Sequence, residues 1–189
     1  MSLEKRTELI DSLVEERPEL RKPITNQASS MLTGNWDLVA YSYQQSFEAL
    51  WDHAFQQTSG LAQLPLMMLC RQSVELTIKA AIQATTLAQP PNGHGLTILF
   101  DRLLAAREEA GCFEQGDDEY TQEIRQAVIN LQEIDARADR FRYPTDLNGK
   151  AYPGFNVDLE QLLQIHWLIT TWCDCASTEA EQYYLHVRS

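Results

Sequence analysis

The chain has 189 residues, of which 44% are apolar and 22% charged, so it is long and apolar enough to fold around a hydrophobic core. Its 15 basic and 27 acidic residues give a formal net charge of −12. Because duplex-binding surfaces use clustered Lys and Arg to displace counterions, this acidic excess argues against broad binding of duplex DNA. A small basic cleft is still compatible with it, and Arg137, Arg140 and Arg142 are close enough in sequence to line one.

The cysteines and the first residues predict a cytoplasmic protein without membrane association. Cys70 lies in an apolar run, which is typical of a buried free thiol. Cys173 and Cys175 would face different directions on a helix, and with Cys112 the four show no secreted disulfide framework. Residues 1–10 lack the apolar core of a signal peptide, and no window approaches the ~20 apolar residues of a membrane span.

The first segment of the chain reads as a separate element. Residues 3–16 carry leucine, isoleucine and valine at helical spacing among many charges, which predicts a short amphipathic helix. Pro18 and Pro23 end it, and small polar residues follow. We therefore predict an N-terminal helix and linker over 1–33 and a helical bundle over 34–189. The apolar stripe of the first helix would dock on the bundle or, alternatively, on a partner.

Helical periodicity dominates the remaining sequence, and no alternating run bounded by turns predicts a strand. Asn35 is placed to cap the first helix of the bundle, and Gly111 to stop the third. Pro144 disfavours helical geometry at Tyr143, so an irregular loop should follow the fourth helix. The predicted helices are 36 to before 60, 65–88, 96–110, 117 or 118 to about 141, and 157 or 158 to about 183. The expected fold is all-α, an antiparallel up-and-down bundle of four to five helices with an extra N-terminal helix.

Three segments of the bundle carry a family resemblance. They are Glu75 with Lys79-Ala80, then Gly93-His94-Gly95-Leu96 with Leu99, and finally Arg142-Tyr143-Pro144. In this order and spacing, over roughly 36–175, they resemble the HEPN family (higher eukaryotes and prokaryotes nucleotide-binding). The resemblance implies a helical bundle that often dimerises through one face. It also implies kinship with metal-independent ribonucleases, which many members are.

The catalytic pair that the resemblance implies is absent. In the ribonucleases, four to six residues separate an Arg from a His; the His moves a proton and the Arg stabilises charge on the phosphate. Here no Arg lies five to seven positions before any histidine, the four being His53, His94, His166 and His186. The resemblance therefore favours a non-catalytic member, a homodimer that binds a nucleotide, RNA or a partner protein. Prokaryotic defence or a toxin–antitoxin pair is the implied setting.

Two groups of candidate residues come from the helical part of the signature. Arg71, Glu75 and Lys79 lie four apart on one helical face. They form either a solvated ladder of ion pairs or the wall of a groove where Lys79 meets an anion. His94, between two glycines, either closes a helix start or transfers a proton, because imidazole titrates near neutral pH.

The arginine-bearing segment is the other candidate. Arg140 and Arg142 would contact a phosphate, Tyr143 would stack on a base, and Asp146 lies in the same segment. The structural alternative has Arg142 bonded to the last carbonyls of its helix. We expect this corner to open beside His94.

Two further functions stay open alongside the non-catalytic one. The first is a divergent metal-independent ribonuclease that uses Arg142 or Arg140 with His94. The second is a pure protein-interaction module that docks through its N-terminal helix. No cofactor or metal is expected, since His166 and Cys173, seven apart, supply only two ligands.

Overall fold

The computed structural model describes residues 2–16, 35–56, 60–112 and 119–187. These residues form six α-helices and no strand. The predicted linker and the predicted helix start at 117 or 118 lie outside them. The helices are α1 (Leu3–Glu16), α2 (Trp36–Phe55), α3 (Gln63–Thr86), α4 (Leu96–Ala110), α5 (Glu119–Ile134) and α6 (Leu159–Val187). The predicted all-α class is confirmed.

The chain divides into two compact units, residues 1–33 and residues 34–189. Of the first unit the structure describes α1, on which Leu3 and Leu9 are exposed. The second unit holds the other five helices.

The second unit is organised around α3, which packs against α2, α4 and α6, while α5 packs on α4 and α6. Apolar side chains from all five helices meet in one core, and full burial of such a side chain contributes about 1.5–3 kcal/mol. The fully buried members include Phe47, Leu66, Ile78, Phe100, Ile124 and Ile169. A helix enclosed on three sides explains why α3 is buried almost all round, including its charged residues.

Two helix boundaries follow the expected capping chemistry. The side-chain oxygen of Asn35 accepts a hydrogen bond from the amide of Leu38 at 3.1 Å, as predicted. Gly111, at φ 71°, ends α4, and its amide donates to the carbonyl oxygens of Arg107 and Glu108. Here the left-handed backbone suits glycine, so the predicted stop is confirmed.

The predicted end of α5 near residue 141 is wrong, because the helix ends at Ile134. Asp135 supplies the physical reason. Its Oδ1 accepts hydrogen bonds from the amides of Asp139 at 3.0 Å and Arg140 at 3.2 Å, which replaces the helical pattern by a turn. Ala138 has φ 59°, a left-handed conformation that a continuing helix would not contain.

The last helix is longer than predicted. It begins at Leu159, where Asp158 Oδ1 accepts from the amide of Gln161 at 3.0 Å, and it continues to Val187 rather than ending near 183. No helix among the described residues is long and apolar enough to cross a membrane.

Candidate functional site

The charged residues of α3 are buried, so the prediction of a solvated ladder is wrong. Arg71, Glu75 and Lys79 are only 3%, 1% and 7% exposed. Arg71 Nη1 donates to Glu75 Oε2 at 3.0 Å, and Lys79 Nζ donates to Glu75 Oε1 at 2.8 Å. The four-residue spacing indicated the ion pairs, but only the packing of neighbouring helices decides whether they face solvent.

Glu75 is ionised within this buried group. Burial by itself would raise the pKa of its carboxyl, but hydrogen bonds from Lys79, His94 and Arg71 outweigh burial and lower that pKa. Two cations on one buried carboxylate leave the group with a net positive charge before any further residue is counted. Such a group is costly to break, because removing one partner leaves an uncompensated buried charge.

His94 is held against α3 by two contacts. Its Nδ1 lies 2.9 Å from Glu75 Oε1, and its backbone carbonyl oxygen accepts a hydrogen bond from Arg71 Nη2. A carboxylate can only accept, so Nδ1 carries the proton and Nε2 of the neutral ring is a bare acceptor. The side chain is 69% exposed, so the ring is accessible to a ligand.

Arg71 also joins the turn that follows α5. Its Nε donates to the carbonyl oxygen of Asp135 at 3.3 Å and lies 3.8 Å from that residue's Oδ2. One buried guanidinium therefore binds both the His94 loop and the 135–142 turn. Arg71 therefore explains why the arginine-bearing corner lies beside His94, as expected.

Arg140 closes a loop and is not available for a phosphate in this arrangement. Its Nη1 donates to the carbonyl oxygen of Ile134 at 3.0 Å and its Nη2 to that of Pro153 at 3.1 Å. The guanidinium also lies 5.0 Å from the ring centroid of Phe155, a cation–π contact. These contacts tie residues 153–155 to the end of α5.

Arg142 lines a cavity of about 210 Å³ together with Arg71. It is exposed, and one nitrogen of its guanidinium donates to the carbonyl oxygen of Ala138. The structural interpretation expected the last carbonyls of the helix, whereas Ala138 lies in the turn that follows α5. The other lining residues are Tyr43, Met68, Gln72, Asp135, Ala138 and Phe141. Tyr143 is exposed beside this segment, which leaves its ring open for stacking.

Asp146 organises the loop after the turn. Its Oδ1 accepts from the amides of Asn148 and Lys150, each at 2.9 Å, and Thr145 and Ala151 form an isolated bridge. The carboxylate therefore has a structural role in a tight turn.

The profile of the HEPN domain family matches residues 64–174. The match spans more than half of the 189 residues and contains every candidate residue discussed above. The chain belongs to the HEPN family. No curated protein and no solved structure matches the chain at a significant level.

Sequence reasoning on this HEPN chain missed Asp135, Gln72 and Gln132. Asp135 connects α3 to the corner, and Gln132 accepts the amide of Leu96 at 2.5 Å. An isolated Asp or Gln, within a helix or just after one, gives no sequence signal that separates it from ordinary surface residues. Their importance appears only when α3, α4 and α5 are placed side by side.

His166 and Cys173, the pair considered as metal ligands, are both buried, and His166 contacts Ser73. Within the described ranges no group of three or more His, Cys, Asp or Glu residues could hold a metal ion. The absence of a metal stays a prediction for the whole chain.

Proposed function

We propose that this HEPN protein binds RNA through a phosphate group at the Arg142 corner and does not cleave it. The cavity lined by Arg71 and Arg142 is the observation that carries this proposal. At about 210 Å³ it is smaller than the ~300–1,000 Å³ of small-molecule sites, so it suits a single group such as a phosphate rather than a whole nucleotide. Guanidinium groups are the preferred side chains for a phosphate, and the exposed ring of Tyr143 offers a base a stacking surface.

Local charge supports binding of an anion here despite the net charge of −12. In the 135–146 corner three arginines offset three aspartates, namely Arg137, Arg140 and Arg142 against Asp135, Asp139 and Asp146. With Asp135 counted once, the corner and the adjacent α3 group of Arg71, Glu75 and Lys79 together carry five cationic and four anionic side chains. Since exposed charges more than about 8–10 Å away are largely screened, the balanced corner opposes an anion less than the acidic surface elsewhere.

The absence of cleavage is proposed from the sequence. At the positions where the ribonucleases place their histidine relative to Arg142, this chain has Leu147, Asn148 and Gly149. None of these side chains transfers protons near neutral pH.

Fluorescence anisotropy with a labelled single-stranded RNA at low salt, with chelator present, tests this proposal. Arg142→Ala should weaken binding about tenfold and make it less dependent on salt, because one phosphate contact is lost. Arg102→Ala is the matched control, since it removes the same charge from an exposed position of α4 outside the cavity. Equal loss in both variants, or no binding of RNA by the wild type, would contradict the proposal.

A divergent ribonuclease is the second candidate, and the Glu75–His94 contact favours it. A carboxylate that orients an imidazole and leaves its Nε2 open is the arrangement of a general base. Incubation of RNA with the protein in chelator separates the two functions. Intact RNA supports the binding function, whereas cleavage that both His94→Gln and Arg142→Ala abolish assigns the enzyme.

We also propose a homodimer, in line with the family. Tyr41, Glu48 and Phe55 recur every seven residues along one face of α2, and both aromatic rings are exposed. The exposed indole of Trp167 extends this face, since its Nε1 donates to Glu48 Oε1 at 2.8 Å. A dimer that dissociates on Trp167→Glu in analytical ultracentrifugation is the expected result, and a monomeric wild type would contradict it.

We also propose a role in prokaryotic defence or in a toxin–antitoxin pair, which the family resemblance implies, and a cytoplasmic location. The interaction-module alternative is supported by the exposed Leu3 and Leu9 of α1. Deleting residues 1–24 separates it from the RNA-binding function, because only the interaction module would lose its ligand.

A further inference from the structure

A second cavity, of about 520 Å³, lies between the first turn of α2 and the C-terminal ends of α3 and α6. It shares no lining residue with the Arg142 cavity. Its volume is within the ~300–1,000 Å³ range of sites that enclose a ligand group. The lining residues are Asp37, Ala80, Gln83, Ala84, Leu87, Glu181, Tyr184 and Leu185.

The charges around this cavity select a cation. Asp37 and Glu181 line it, and no lysine or arginine is among its lining residues in the described part of the chain. Two helix C-termini, of α3 and α6, add partial negative charge; the last turn of α3 has no basic residue, whereas that of α6 contains His186. The opposing N-terminus of α2 already carries Asp37 in its first turn.

The carboxylate of Asp37 also acts on that of Asp174, which is not among the lining residues of the cavity. Partial burial raises the pKa of Asp37. Burial and the nearby Asp37 carboxylate also raise the pKa of Asp174, although a hydrogen bond from Gln44 lowers it in part. A bound cation would relieve this repulsion, because an opposite charge favours the ionised carboxylates.

The cavity also has an apolar side that extends past its mouth. Ala80 and Ala84 contribute small apolar surfaces, while Leu87 and Leu185 are 59% and 71% exposed. Leu87 ends α3 in a left-handed conformation at φ 56°, where glycine is the usual residue. A large apolar side chain held exposed at a strained position is a mark of a binding surface rather than of packing.

We infer that this cavity is a docking site for a partner polypeptide that inserts an arginine or lysine side chain flanked by apolar residues. The carboxylates of Asp37 and Glu181 would receive the basic group, and the alanine surfaces would cover its aliphatic stem. A polypeptide fits better than a free amine, because Leu87 and Leu185 offer apolar surface beyond the space that one side chain fills.

Titration of the ¹⁵N-labelled full chain with acetyl-Leu-Arg-Leu-amide at low ionic strength tests this inference. Amide shifts should map to Ala84 and Leu87. The double variant Asp37→Asn/Glu181→Gln should weaken binding about fivefold to tenfold, as expected for the loss of two partly exposed charge contacts. The control Asp52→Asn/Glu123→Gln removes two exposed carboxylates from positions outside the cavity and should leave affinity unchanged.

Leu87→Gly separates a binding role from a structural one. Glycine adopts this conformation without strain, so the melting temperature should hold or rise, while peptide binding should fall as the apolar wall is lost. Three results would overturn the inference: no shifts with the arginine peptide, equal binding of acetyl-Leu-Gln-Leu-amide, or binding of agmatine as tight as that of the peptide. Failure of RNA binding at the Arg142 corner would not affect it.

Discussion

Two histidines contact the central helix α3, and their surroundings are opposite. His166, from α6, is fully buried, lies 2.5 Å through Nε2 from the hydroxyl oxygen of Ser73, and packs on Phe47 with ring centroids 4.1 Å apart. His94 is mostly exposed and contacts the ionised carboxylate of Glu75. Ser73 and Glu75 are two residues apart, so one helix presents a neutral partner to one ring and a charged partner to the other.

The comparison shows that the partner and the solvent, rather than the imidazole, decide what a histidine does. Burial lowers the pKa of His166 to about 4, so that ring is a neutral packing element near pH 7. His94 has water on one side and a fixed anion on the other, which orients the ring and leaves one nitrogen open. Only His94 is therefore suited to a ligand or a proton.

The largest expected effect on stability is that of Glu75→Gln, which removes the charged partner of His94. The change leaves Arg71 and Lys79 buried without their shared carboxylate, and loss of one member of a buried ion group costs about 3–5 kcal/mol. Urea unfolding monitored by circular dichroism measures the free energy of unfolding. Glu123→Gln, an exposed carboxylate on α5, is the control. A loss below about 1 kcal/mol would mean that Glu75 does not hold this group together.

Protonation of His166, the neutral ring, should destabilise the protein at acidic pH. The pKa of His166 in the folded protein lies below the unfolded value of 6.5, so the unfolded chain takes up a proton first as the pH is lowered. The free energy of unfolding should fall as the pH is lowered from about 6.5 to about 4, by about 3 kcal/mol in total. The pKa of Glu75 is lowered from its ordinary 4.5, so its contribution to stability is lost only as the pH falls below about 4.5.

His166→Phe should remove the loss between pH 6.5 and 4.5, because phenylalanine keeps the contact with Phe47 and cannot be protonated. Unfolding curves collected at half-unit steps of pH measure the slope for both proteins. An unchanged slope in the variant would assign this acid sensitivity to another group.

His94→Gln should have a much smaller effect on stability, about 1 kcal/mol or less. The side chain is exposed, and Glu75 keeps its hydrogen bonds from Arg71 and Lys79 when the ring is lost. The same urea unfolding experiment measures it at pH 7. A cost equal to that of Glu75→Gln would show that the ring is part of the buried group rather than an attachment to it.

Much of the fold was predictable because local patterns determine it. Helical periodicity gave five of the bundle's elements, and Asn35 and Gly111 gave two of their boundaries correctly. The end of α5 was not predictable from Pro144, since the side chain of Asp135, nine residues before that proline, ends the helix earlier through two amide contacts. Side-chain capping of this kind overrides a proline signal without leaving a distinctive pattern.

The candidate site was predictable in its members but not in its electrostatics. The spacing identified Arg71, Glu75 and Lys79, and the family signature identified Arg142. Burial, however, makes the first three an internal ion group instead of a solvated ladder. Arg140 and Arg142 look alike in sequence, and only the position of Pro153 and Phe155 makes Arg140 a structural residue. Exposure and loop closure depend on long-range packing, which a single sequence does not display.

The smallest and most specific effect is a difference of tautomer between the two rings. The hydroxyl of Ser73 donates to the carbonyl oxygen of Cys70 at 3.2 Å, so the proton shared with His166 comes from Nε2. Nδ1 of His166 has no hydrogen-bond partner among the described residues. In apolar surroundings a nitrogen without a proton tolerates this better than an N–H group, which supports a proton on Nε2. His94 should be protonated on Nδ1, because Glu75 can only accept. Long-range ¹H–¹⁵N correlation spectra at pH 8 distinguish the two neutral tautomers by their nitrogen shifts. The same tautomer at both rings would contradict the contrast between a serine-bound and a carboxylate-bound imidazole.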